Sequence, residues 1–207
     1  DVPVSAIFVT APLFGLEVEN LTGNVFLAVV AAIAVGLIMG AINGFIVTRL
    51  KINSFIGTLA TSFMFFGAGF LISSRSLMRP ETDAYRLIAR SRFLGLTSAT
   101  WIAIAVVIIA TILLSRTRFG RNVFAVGGNM EAARLAGVAV NRVQTMAFLL
   151  LGAAAALAGV LNSSRSISAQ PADDVSVGFA FSMIGAFTLV AYLYAAHLLR
   201  TGKRLRT

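Results

Sequence analysis

Long stretches of the chain carry no Asp, Glu, Lys or Arg. Five such runs cover residues 20–48, 52–74, 93–115, 143–164 and 175–199. Each exceeds the roughly 18 residues that mark a membrane-crossing helix. Their apolar centres fall at 27–47, 55–72, 101–114, 146–161 and 179–199. The runs do not alternate, which disfavours a β-barrel. In lipid a continuous apolar run must satisfy its own backbone hydrogen bonds, so each is expected to be helical. A further apolar stretch, 2–16, holds Pro3 and Pro12 and is short for a span. It reads as the end of a helix or a re-entrant piece. The chain begins with Asp1 and lacks a basic n-region, so it reads as a fragment or processed product and not as carrying a signal peptide. The pattern predicts an all-α fold: one polytopic integral membrane helical bundle over residues 1–207, with about five transmembrane helices.

Composition agrees with that pattern. Hydrophobic residues make up 58% of the chain and charged residues 12%, where a soluble domain carries about 25% charged. The chain has no cysteine, which excludes disulfides, Cys-ligated zinc and iron–sulfur clusters. With His197 the only histidine, a Ser-His-Asp or Cys-His centre is nearly excluded. No metal site is expected. The net charge of +9 lies between the apolar runs and not along one helix face. That placement fits the edges of membrane spans and not a nucleic-acid surface. The first and third connections and the tail hold eleven Lys and Arg, against six on the opposite side. The excess puts the third connection and the tail in the cytoplasm.

Small and polar residues recur inside the spans. Gly36, Gly40 and Gly44 make a ridge on one helix face, and Gly152, Ala156 and Gly159 make another. Such ridges let a second backbone approach closely. They serve static packing or sliding contacts. Asn43 lies inside the first run, and Thr58, Thr61 and Ser62 share one face of the second at i, i+3 and i+4. A polar face in lipid must turn inward. It reads either as a translocation path for a polyhydroxylated or otherwise polar solute or as a set of interhelical and back-bonded hydroxyls. None of the five runs has a charge at its centre, which disfavours a proton relay. His197 reads as interface packing, and the pair Asp173 and Asp174 as a solvated loop.

The third connection, residues 116–142, is the most informative loop. Gly127 and Gly128 are expected to break the chain. Asn129 can cap a helix, Glu131 suits its first turn and Arg134 its last, and Gly137 can stop it in the left-handed conformation. The result is a short helix over 130–136, about 10 Å long. Ala132, Leu135 and Ala136 fall at i, i+3 and i+4 and form a small apolar face. Local physics leaves a docking helix and a plain surface turn equally open.

The strings Arg118-Phe-Gly-Arg121, Ala125-Val-Gly-Gly-Asn129 and Glu131-Ala-Ala-Arg-Leu-Ala-Gly137 resemble the cytoplasmic loop of ribose/xylose/arabinose-type ABC transporter permeases. Gly40-Ala-Ile-Asn-Gly44, Lys51-Ile-Asn-Ser-Phe-Ile56 and Ser168-Ala-Gln-Pro171 are similar to other parts of that family. Residues 175–199 lack the family's Gly-Gly pairs, so the C-terminal part reads as shortened or divergent. The resemblance implies that Gly128, Asn129, Glu131, Ala132, Ala133, Arg134 and Gly137 form a coupling helix seated in a cytoplasmic ATPase subunit. It also implies a second permease copy, a periplasmic sugar-binding protein and a multi-pass location in the bacterial inner membrane.

The expected function is therefore translocation of a monosaccharide, with ATP and Mg on the partner ATPase and no cofactor on this chain. No phosphate loop of the Gly-x-x-x-x-Gly-Lys-Ser/Thr type occurs, so the chain is not expected to be an enzyme. The alternative is an ion- or proton-coupled secondary transporter of a small polar solute, which usually needs ionisable groups in its spans.

Overall fold

The computed structural model describes residues 2–73, 77–93, 95–166 and 169. The expected span at 179–199, His197, Asp173 and Asp174 lie outside the described residues. Eight helices are described: α1 (Val2–Thr22), α2 (Val25–Thr48), α3 (Ser54–Ile72), α4 (Asp83–Arg90), α5 (Ser98–Arg116), α6 (Arg118–Gly128), α7 (Met130–Leu135) and α8 (Val140–Ser166). A two-stranded hairpin, β1 (Arg92–Phe93) and β2 (Leu96–Thr97), links α4 to α5 with Arg92 opposite Thr97. Among the described residues, α1, α2, α3, α5 and α8 are long and apolar enough to cross a membrane.

Helix α1 corrects the reading of 2–16 as a short piece. It runs six residues further, past Glu17 and Glu19. Pro12 sits inside it and has no N–H to give the Phe8 carbonyl. That carbonyl instead lies against the backbone of Gly159 on α8. A turn at Gly23, with φ +66°, then leads to Asn24. The Asn24 Oδ1 accepts from the Phe26 and Leu27 amides at 3.0 and 3.3 Å and starts α2.

Both small-residue ridges are packing surfaces. Gly36 faces Gly152 and Ala156, Gly40 faces the Phe148 carbonyl, and Gly44 faces Thr145. The order of these partners makes α2 and α8 antiparallel. Gly15 of α1 meets Ala28 and Ala32 of α2, while Gly69 of α3 meets Thr10 and Leu13 of α1. Helices α1, α2, α3 and α8 thus share one core, in which Ala6, Ile7, Ala11, Met39, Phe65, Ala155 and Ala156 are buried together. Helix α5 stands apart and has no buried residue.

One end of the bundle holds the α2–α3 turn and the 116–142 segment. The other holds the α1–α2 turn, α4 and the hairpin. The expected break at Gly127 and Gly128 is displaced: residues 118–128 are helical, and the two glycines form the last residues of α6. The Thr117 hydroxyl caps that helix by accepting from the Gly120 amide at 3.2 Å.

Candidate functional site

Asn129 turns the chain from α6 into α7. Its Oδ1 accepts from the Ala132 amide at 3.0 Å, as the sequence predicts for an N-cap. At the other end Gly137 adopts φ +83°. Its amide donates to the Arg134 carbonyl at 3.0 Å, and the Val138 amide donates to the Ala133 carbonyl at 3.0 Å. These paired bonds satisfy the last carbonyls of the helix in the left-handed stop that glycine favours. The helix is one residue shorter than expected, because Ala136 is the cap.

Glu131 and Arg134 pair with each other at 3.2 Å, both 69% exposed. The apolar face of Ala132, Leu135 and Ala136 is open, with Leu135 87% and Met130 46% exposed. Ala133 differs from its neighbours. It is buried against its own chain at 5% exposure and seats α7. Gly128 is exposed, and a side chain there would meet open space.

The expected polar path also converges, but as a closed cluster. Asn43, Thr58, Thr61 and Ser62 are all buried. The Thr61 hydroxyl bridges α3 to α2 by donating to Asn43 Oδ1 at 2.5 Å. Thr58 donates back to the Ser54 carbonyl at 2.8 Å, and Ser62 to the Thr58 carbonyl at 2.6 Å. Interhelical bonding and back-bonding are thus both present. Asn43 Nδ2 is buried and has no hydrogen-bond partner among the described residues.

Sequence reasoning missed a second polar assembly at the opposite end. Glu19 of α1 is fully buried. Its carboxylate accepts from the Thr82 and Glu81 amides at 2.8 and 3.2 Å, at the start of α4. Those donors and the helix dipole offset its charge, so Glu19 is already committed to holding α4. On the far side, the Ser164 hydroxyl donates to the Tyr85 carbonyl at 2.7 Å and accepts from the Ala89 amide at 3.1 Å. It inserts into the α4 ladder and ties α4 to α8. The Tyr85 hydroxyl lies 2.7 Å from Ser163 Oγ. Burial pushes the Tyr85 phenol up to about 12, partly opposed by the Ser163 bond and assisted by the Glu19 charge. The carboxylates Glu17 and Glu19, at the end of an apolar stretch, were the available signal that polar partners are needed there.

Residues 4–200 match a family described as branched-chain amino acid transport system / permease component. The chain is 37% identical over 189 residues to the L-arabinose transport system permease protein AraH of Escherichia coli K12, covering 91% of this chain and 57% of that protein. It is 33% identical over 185 residues to the ribose import permease protein RbsC of the same strain, covering 87% and 56%. It is 37% identical over 132 residues to the autoinducer 2 import system permease protein LsrC of Klebsiella pneumoniae, covering 64% and 38%. The chain thus spans little more than half the length of the first two relatives. No solved structure matches it significantly.

Proposed function

The chain belongs to the permease-component family of branched-chain amino acid transport systems, and on that premise we propose that it is the membrane-spanning subunit of an ATP-binding cassette importer for a monosaccharide. The observation that carries this reading is the likeness to arabinose and ribose permeases across most of the chain. ATP is hydrolysed by a cytoplasmic partner, with Mg held there and no cofactor on this chain. A second permease copy and a periplasmic sugar-binding protein complete the assembly in the inner membrane.

In this reading the end of the bundle that carries α7 faces the cytoplasm, in line with its excess of Lys and Arg. Helix α7 meets the ATPase through Met130, Ala132, Leu135 and Ala136. Asn129 and Gly137 hold its ends, Ala133 seats it on the permease, and Gly128 leaves room for the partner to approach. Glu131 and Arg134 orient it at the rim. Asn43, with its unused amide donor, and Thr61, Thr58 and Ser62 form the polar seam between α2 and α3 that opens to the sugar during transport.

The test is uptake of labelled arabinose or ribose into proteoliposomes holding the permease, its cognate ATPase and its binding protein. Uptake should require ATP and survive collapse of the proton gradient. Uptake driven by an ion gradient without ATP would replace this reading with a secondary carrier.

A further inference from the structure

We propose that the permease binds the headgroup of an anionic phospholipid in the cleft between the end of α2, the α7–α8 turn and the start of α8. The inference goes beyond the transport reading and requires only the membrane setting.

The cleft has a volume of about 820 Å³. Arg49, Arg134 and Arg142 line it together with Phe45, Met146 and Leu149. Arg49 caps the end of α2, and Arg142 lies in the first turn of α8. The close antiparallel packing of those spans brings both cations to the same level, where apolar helix gives way to polar turn. Neither is in an ion pair among the described residues, while Arg134 is held by Glu131 at 3.2 Å. Three guanidiniums therefore face one carboxylate, and the cleft is cationic.

A guanidinium binds phosphate through two parallel N–H bonds, which an ammonium cannot copy. The floor separates a lipid from a free anion. Phe45 and Met146 are 56% and 55% exposed and continue along the spans from the arginines. A soluble phosphate would meet the cations and leave this apolar floor uncovered. A phospholipid meets both, with phosphate at the rim and an acyl chain along Phe45, Met146 and Leu149. Basic clusters beside spans attract acidic headgroups at such a boundary.

The experiment is native mass spectrometry of the purified permease in mild detergent. Phosphatidylglycerol and phosphatidylcholine with the same acyl chains are added in turn, with and without inorganic phosphate. The parent should retain phosphatidylglycerol preferentially, and inorganic phosphate should not displace it. The double variant Arg49→Gln with Arg142→Gln should lose about tenfold or more of that retention. Arg49→Lys with Arg142→Lys keeps the charge and should retain a preference for the anionic lipid, showing that loss in the Gln variant is not misfolding. Arg90→Gln with Arg92→Gln, at the opposite end, should bind as the parent does. Equal retention of both lipids, an unchanged Gln variant, or full displacement by inorganic phosphate would each overturn the proposal. So would a protein cross-link from Met146→Cys that fills the cleft in the assembled complex.

Discussion

A Cβ placed on Gly36 would lie 2.5 Å from the carbonyl oxygen of Gly152, and Gly152 is pressed in turn by the Gly36 carbonyl. Helices α2 and α8 touch backbone to backbone there, which only small residues permit. Gly36→Ala should destabilise the bundle by about 1–3 kcal/mol, because neither backbone can yield. Gly67→Ala, where nothing lies within 4 Å, should cost nothing and stabilise the helix by up to about 1 kcal/mol. Unfolding of the purified protein in mixed detergent, followed by circular dichroism, checks both. Equal stability of the two variants would mean that the α2–α8 contact is loose.

The Glu19 carboxylate and the start of α4 make a second, independent prediction. Glu19→Ala removes the acceptor of two part-buried bonds, from the amides of Glu81 and Thr82, at a cost of about 1–3 kcal/mol. Glu19→Gln keeps an acceptor oxygen and should cost less. Limited proteolysis near residues 77–82 reports the difference, since a released α4 exposes that segment. Equal cleavage of parent and Glu19→Ala would remove the clamp.

The Tyr85 phenol is pushed up to about 12 in the folded protein. A raised pKa on this acid means that the neutral form is the one the fold prefers. Its contribution is whole below pH 10 and is lost as pH rises from 10 toward 12. Difference absorbance of tyrosinate between the parent and Tyr85→Phe isolates this one phenol. It should ionise about two units above an exposed tyrosine. Ionisation near pH 10 would mean that α4 does not bury it.

Charge-free runs located α2, α3, α5 and α8, because lipid demands helix wherever the chain is continuously apolar. Residues 146–161 proved to be the centre of a longer helix, since Arg142 and Arg165 bound the charge-free run but do not end α8. Helix α1 was hidden by Glu17, which ends the charge-free run, and by Glu19, whose partners lie 62 and 63 residues away. No local pattern reveals a carboxylate matched across that distance. The ends of α7 were legible because capping is local: Asn129 and Gly137 act within a few residues of themselves. Ala133 was not, because its burial depends on how α7 packs against the rest of the chain. The hydroxyl face of α3 turned inward as its spacing required, but whether Thr61 meets Asn43 or a solute depends on the neighbouring helix.

The last prediction separates the seat of α7 from its open face. Ala133 is buried against its own chain, whereas Ala132 and Leu135 are exposed. A bulky Ala133→Trp should therefore dislodge α7 from the permease, lowering its stability as an overpacked site does, by about 1–3 kcal/mol. Ala132→Trp and Leu135→Asp touch nothing on this chain and should leave stability within about 0.5 kcal/mol of the parent. If α7 is where the ATPase docks, those two variants should still lose the partner, since one fills the cleft-facing surface and the other puts a charge on it. Glu131→Gln removes only an exposed ion pair, a contribution of about 0–1 kcal/mol, and should dock nearly as the parent does. Gly128→Ala adds a methyl into open space and should leave the fold unchanged while weakening docking if the partner's backbone approaches there. Each variant is compared by thermal unfolding of the permease alone and by co-purification of the cognate ATPase. Full co-purification with both Ala132→Trp and Leu135→Asp would show that the exposed face of α7 is an ordinary surface turn and that the ATPase pushes elsewhere.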